Sequence, residues 1–420
     1  MPEATGAGRV RQGLIVLTLI NLFNYLDRFV VPSLLESIKK SELHPSDTQL
    51  FSLVPAFTVV YMLAAPVFGP LGDRRARPPL IALGVLIWSV ATALGGFARS
   101  YATLFLARAT VGVGEAAYGT IAPSLLADYY PRQYRGRVFS IFFAAIPVGS
   151  ALGIQLGGLV DAHFGWRRAF FIVGIPGLLL AALALTLRDP PRGAQDADGG
   201  GGGGGSQAPP RVGWSSYAAL ARNRPYVLTV LGYAAYTFAL GGIVTVMPSF
   251  LQRIRGLPEI QATFRLGAAT VATGLVATLV GGWLGDRLLS RTRQAYLWLS
   301  GLATLVAAPL ALLALAAAAP AVYWTSIVAA ELLLFASTGL INSAIINAVP
   351  PATRATAVAV SILAIHLFGD VPSPTIIGVI SDASSLARAV LIIPVAVLVA
   401  GVIWTYAAWR GERAGGEPTP

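Results

Sequence analysis

Twelve apolar stretches follow one another along the chain, at 13–35, 50–71, 78–98, 101–127, 137–160, 168–187, 224–251, 261–285, 294–318, 321–348, 355–380 and 387–409. Each is close to the roughly 20 residues a helix needs to cross the hydrocarbon of a bilayer. Inside lipid every backbone amide must find its partner within its own segment, so stretches of this kind become helices. The predicted fold is therefore all-α and integral to a membrane, with twelve transmembrane helices in two pseudo-symmetric six-helix bundles. The bundles are predicted at 1–187 and 224–409. Between them, 188–223 contains the glycine run Gly199–Gly205 and Pro209-Pro210 and reads as a flexible linker; 410–420 is a short tail. Composition agrees: 55% of residues are hydrophobic and 12% charged, too few to cover a soluble protein of this length. The first run is long and carries charges, so it reads as a retained helix rather than a cleaved signal.

The net charge of +11 sits in short loops on alternate sides of the predicted membrane. Arg9 and Arg11, Arg74 to Arg77, Arg132 to Arg137, Arg188 and Arg192 mark one side, continued by Arg211 to Arg224, Arg287 to Arg293, Arg354, Arg410 and Arg413. By the positive-inside rule this side is cytoplasmic and holds both termini. The pattern argues for membrane lipids and against nucleic acid as the partner of these charges. Arginine loops with almost no lysine, beside abundant Ala and Gly, suggest a GC-rich bacterium and hence its inner membrane. The chain has no cysteine and three scattered histidines, which excludes thiolate chemistry and leaves no expected metal site or cofactor. No H-E-x-x-H, G-x-S-x-G or P-loop is present, so an enzyme is not expected. A membrane receptor or sensor is the other class, but it would usually carry a soluble output domain.

The first stretch holds Asn21-Leu-Phe-Asn24-Tyr25-Leu-Asp27-Arg28. A charge at such depth costs at least ~2.5–3.5 kcal/mol, so it faces a cavity or a partner. At roughly 100° per residue Asn21, Asn24, Tyr25 and Arg28 share one face and Asp27 points elsewhere. The fourth stretch carries Arg108, Gly112, Glu115 and Gly119 on one stripe, which must face protein or water. Two readings stand side by side: a substrate and ion site, or a salt-bridge network that holds helices together. On the first, Arg28 and Arg108, with Asn24 and Tyr25, bind an anionic group through the guanidinium fork, and Asp27 and Glu115 exchange protons. In the second half Glu331 is a secondary substrate-site candidate, on a face with Thr338 and Asn342. His366 and Asp370 share a face, and His366 reads as satisfying a helix–helix hydrogen bond. Arg265 is expected to reach the outer interface.

Gly69-Pro-Leu-Gly-Asp73-Arg74 ends the second stretch and Gly282-Trp-Leu-Gly-Asp286-Arg287 ends the eighth. Two copies of G-x-L-G-D-R at matching places argue for an internal duplication. The glycines permit close approach, and each Asp can oppose a helix N-terminus or a nearby Arg in a contact that forms in one conformation and breaks in another. Asp73, Arg74, Arg137, Asp286 and Arg287 are the predicted gating residues.

These residues resemble those of the major facilitator superfamily. Gly69 to Leu80 is similar to its loop 2–3 signature, departing at Ala76, where glycine is usual, and at Pro78-Pro79. Arg108-Ala-Thr-Val-Gly112-Val-Gly114-Glu115 resembles its fourth-helix signature, and Gly165-Trp-Arg-Arg-Ala-Phe170 another family feature. Gly149, Gly153, Gly157 and Gly158 match the antiporter fifth-helix pattern in part, with Ile154 where proline is usual. A narrower resemblance, on Asn24-Tyr-Leu-Asp-Arg28 and Arg108 to Ala116, is to the Spinster family. It implies a transporter of lysolipid or sphingosine-1-phosphate-like anionic amphiphiles that works as a monomer by alternating access about a midplane site. A drug exporter or small organic-anion carrier of the same superfamily is the alternative.

Overall fold

The computed structural model describes residues 2–196 and 214–415; Gly199–Gly205, Pro209, Pro210 and Arg211 of the predicted linker lie outside them. Among the described residues all regular structure is helical. The helices are α1 (Pro2–Lys39), α2 (Asp47–Arg74), α3 (Arg77–Gly95), α4 (Tyr101–Tyr129), α5 (Arg135–Phe143), α6 (Ala145–Phe164), α7 (Trp166–Ala184) and the short α8 (Trp214–Arg222). They continue with α9 (Arg224–Arg253), α10 (Glu259–Leu288), α11 (Ala295–Ala316), α12 (Pro320–Phe335), α13 (Thr338–Asn347), α14 (Arg354–Ile365), α15 (Pro372–Ala383), α16 (Leu386–Ala389) and α17 (Ile392–Gly415). Among the described residues, eleven spans are long and apolar enough to cross a membrane. The twelfth crossing is α4, less apolar because it carries Arg108 and Glu115. It can afford them because from Gly114 to Tyr129 every residue but Gly119 is buried in protein.

Three crossings are interrupted, two with an evident proline cause. Pro147 removes the amide that would have bonded Phe143, and the fifth crossing breaks into α5 and α6 at Ala144. Pro372 does the same to the eleventh, where His366–Asp370 forms a π-turn closed by Val371 N–H to the His366 carbonyl at 3.3 Å. The tenth breaks at Ala336-Ser337, between α12 and α13. Glu331 lies before that break, and Thr338 and Asn342 after it.

The chain forms two compact units that are discontinuous in sequence. The first is Met1–Arg132, Ala145–Ser216 and Pro350–Leu363; the second is Gln133–Ala144, Tyr217–Val349 and Ala364–Pro420. The short α5 therefore belongs with the second six-helix half and α14 with the first. In the first unit α4 packs against α2 and α3, and α1 against α6. Ser46 and Ser100 close capping boxes at the starts of α2 and α4. A core of Leu26, Val30, Leu34, Leu53, Trp166 and Phe170 fills one end of this unit.

Apolar side chains gain little by leaving lipid for protein, so helix contact in a membrane depends on fit and small residues. Gly84 of α3 and Gly114 of α4 meet backbone to backbone: a Cβ on Gly84 would stand 2.6 Å from the Gly114 carbonyl oxygen, and one on Gly114 2.6 Å from the Trp88 nitrogen. Gly114→Leu is therefore expected to separate α3 from α4. Loss of the monodisperse peak in detergent size-exclusion chromatography is the readout; a variant as stable as the parent would contradict the packing.

Candidate functional site

The four charges of the first and fourth crossings pair crosswise. Arg28 Nε donates to Glu115 Oε2 at 2.6 Å, and Arg108 Nη1 donates to Asp27 Oδ1 at 3.0 Å. Asp27 points away from the Arg28 face, as the helical period requires, and takes a second hydrogen bond from Thr92 of α3 at 2.5 Å. Arg28 is the more accessible cation, its side chain 16% exposed, against 2% for Arg108 and none for Glu115. The rings of Tyr25, Phe57 and Tyr61 surround the Arg28 guanidinium, with centroids 4.7–4.9 Å from it. Aromatic faces stabilise a desolvated guanidinium and make an apolar collar around a charged head. Asn24 Nδ2, Arg108 Nε and Glu115 Oε1 are buried beside these pairs without a hydrogen-bond partner among the described residues. Orphaned polar atoms are costly and rare in native proteins, and they concentrate at functional sites.

The duplicated Asp residues close a second feature at the arginine-rich ends of the helices. Asp73 accepts from Ala355 N–H and Thr356 N–H, both at 2.9 Å, and from Thr356 Oγ1 at 2.5 Å, so it caps α14. Asp286 caps α5 in the same way, accepting from Gly136 N–H at 2.8 Å and Arg137 N–H at 3.0 Å. Tyr296 also donates to Asp286 at 2.7 Å, and Arg137 Nε lies 3.3 Å away. The first glycine of each motif allows the approach: a Cβ on Gly69 would lie 2.7 Å from Ala359 Cβ, and one on Gly282 2.5 Å from the Gly136 carbonyl oxygen.

Residues 17–369 match the Major Facilitator Superfamily. The chain is 36% identical over 404 residues to human protein spinster homolog 1, covering 91% of this chain and 75% of that one. It belongs to the Spinster family of that superfamily. Protein spinster of Drosophila melanogaster is 32% identical over 383 residues; the match takes in 88% of this chain but only 61% of that longer relative. Among solved structures, a bacterial homolog of the human lysosomal transporter Spinster, inward-facing and unoccupied, superposes with a TM-score of 0.67 at 25% identity, covering 98% and 99% of the two chains. The human organic anion transporter MFSD10 shares the fold, at a TM-score of 0.75 and 15% identity over 94% and 99%. This Spinster-type chain is thus a multi-pass membrane transporter and not an enzyme, and the twelve-helix reading holds.

Not every predicted site residue joins these clusters. Glu331 of α12 lies in the other unit and is hydrogen-bonded to Thr270 and Thr273 of α10. His366 bonds Asp370 within its own π-turn, at 2.8 Å. Arg74 is exposed in the last turn of α2. Arg287 lies over the Trp283 ring, apart from the Asp286 contact.

Sequence reasoning missed a second repeat beside the Asp73 and Asp286 contacts. Asp128-x-x-Pro131-x-x-x-Arg135 and Asn347-x-x-Pro350-x-x-x-Arg354 share one pattern. Their contacts are exchanged: Arg354 donates to Asp128 at 2.9 Å, and Arg135 to Asn347 at 2.6 Å. Arg77 Nη1 also donates to Asp128, at 2.5 Å, and Arg77 Nε to Asp189 at 2.7 Å. Residues 189–196, read as the start of a free linker, are thereby held on the first unit, with Arg192 donating to the Gly72 and Arg75 carbonyls and Gly193 N–H to Asp128.

Proposed function

We propose that this transporter moves an anionic, lipid-like amphiphile of the lysolipid or sphingosine-1-phosphate type by alternating access, coupled to protons through Asp27 and Glu115. The observation that carries the reading is Arg28 inside its aromatic collar and bonded to Glu115. A phosphate or carboxylate that engages the guanidinium fork competes with Glu115 for the same cation. Glu115 is fully buried, and an unpaired charge there is strongly destabilising, so its release from Arg28 favours uptake of a proton. Arg108 and Asp27 form the parallel pair, Asn24 and Tyr25 line the approach, and the apolar collar suits the start of an alkyl chain. Asp73 and Asp286, with Arg74, Arg137 and Arg287 near them, act as gates. The solved bacterial relative is described as a homolog of a human lysosomal transporter, which supports transport without naming the cargo. Both termini are placed in the cytoplasm of a bacterial inner membrane, and the working unit is a monomer.

The test is flux of a labelled lysophospholipid into liposomes of purified protein, with and without an imposed pH gradient. Gradient-driven flux is expected in the parent and lost in Arg28→Ala and Glu115→Gln. Removing a charge-assisted hydrogen bond worth about 1.5–3 kcal/mol predicts at least about tenfold weaker substrate affinity in Arg28→Ala. Flux indifferent to pH, yet lost in Arg28→Ala, leaves an uncoupled anion carrier. No lipid flux, with uptake of a short organic anion instead, overturns the lipid reading.

A further inference from the structure

The four charges of α1 and α4 pair two carboxylates with two arginines, Glu115 with Arg28 and Asp27 with Arg108. Glu331, in the second unit, stands differently. Glu331 is 5% exposed, in the second half of the apolar helix α12, and among the described residues no Lys, Arg or His forms an ion pair with it. Its neighbours supply none. α11 has Tyr296 as its one titratable side chain, and that hydroxyl is bonded to Asp286. On α10, Arg265 is exposed, and Asp286 and Arg287 lie at the far end of the helix. On α12 itself, Tyr323 lies in the first turn beside Arg255. A lone buried carboxylate costs far more than its hydrogen bonds return.

A count of hydrogens points the same way. Thr270 Oγ1 lies 2.7 Å from Glu331 Oε1 and gives it that hydroxyl's only hydrogen. Thr273 Oγ1 lies 2.9 Å from Glu331 Oε2 and also 2.8 Å from the Ala269 carbonyl oxygen. One hydroxyl hydrogen serves both contacts only as a weaker, shared three-centre bond. With the hydrogen on the Ala269 carbonyl, the contact to Glu331 needs a second one, and the carboxyl group is the source that also removes the uncompensated charge.

We infer that Glu331 is a second proton-binding site of this transporter, a neutral acid that donates through Oε2 to Thr273 Oγ1 and accepts through Oε1 from Thr270. Thr270 is half-buried, so the acid keeps a polar neighbour on its more accessible side. The site stands apart from the Arg28–Glu115 reading and does not need it.

Infrared spectroscopy of the full chain in lipid tests this without any transport assay. A protonated-carboxyl stretch is expected that disappears in Glu331→Gln and persists in Glu115→Gln. Thr273→Val, of similar shape, is expected to keep the band and move it to higher frequency, because the acid has lost its acceptor. Glu331→Gln should melt at the parent temperature, since its amide can also donate to Thr273 and accept from Thr270. A protonated band unchanged in Glu331→Gln, or a carboxylate band lost there instead, overturns the inference. If Glu331→Gln does not fold, the Thr273→Val shift decides: a shifted band supports the proton and an unmoved one refutes it.

Discussion

Arg108→Ala is expected to lose about 3–5 kcal/mol of stability, the usual cost of stripping the partner from a buried ion pair. Asp27 is 1% exposed and Arg108 2%, so water does not replace the guanidinium. What remains for Asp27 is the single hydroxyl of Thr92. The shortened side chain also leaves a void between α1 and α4, which adds to the loss. Asp27→Asn in the same chain should recover most of the stability, because the second change removes the stranded charge and keeps an acceptor for Thr92. The measurement is the fraction of monodisperse protein after a heating series in detergent, for parent, single and double variants. A single variant as stable as the parent would show that the pair is not desolvated. A double variant no better than the single would show that lost packing, rather than the stranded charge, sets the effect.

How much of this was readable beforehand follows from where each signal lies. The helices were readable because a bilayer leaves the backbone no alternative and marks each crossing with a run of apolar residues. Arg28 and Asp27 were separable by face because adjacent residues on a helix diverge by about 100°. Their partners on α4 were visible as a stripe of charge and glycine, although the stripe could not say which acid meets which base. Thr92, Phe57 and Tyr61 carry no such mark. Their roles come from tertiary packing, and in an apolar helix each looks like filler. The Asp73 and Asp286 contacts were anticipated because their motif repeats. Their receiving sites repeat too, but as D/N-x-x-P-x-x-x-R, where the Asp-to-Asn exchange hides the match. The turn at Ala336-Ser337 carries no mark either, since no proline announces it.

The other large effect concerns the gate. Asp73→Asn is expected to shift the transporter's conformational balance about tenfold, with binding at Arg28 little changed. The carboxylate serves three donors, two of them the first amides of α14, where the helix dipole also favours a negative charge. Asparagine offers one acceptor oxygen and turns an NH2 group towards the remaining donors. Exchanging charge-assisted hydrogen bonds for neutral ones costs about 1–1.5 kcal/mol, and 1.4 kcal/mol is a factor of ten. Whatever state releases α14 from α2 gains by that amount. The chain has no cysteine, so a single introduced one reports on the contact directly. Val358, buried on α14, is a suitable position because cysteine is smaller than valine. Alkylation of Val358→Cys should be slow in the parent background and about tenfold faster with Asp73→Asn, as the tenfold shift in the equilibrium requires. Asp286→Asn should not accelerate it to the same degree, since Asp286 holds α5 and Asp73 holds α14. Equal alkylation rates with and without Asp73→Asn, alongside lost transport, would mean that Asp73 acts on the substrate path and not on the gate.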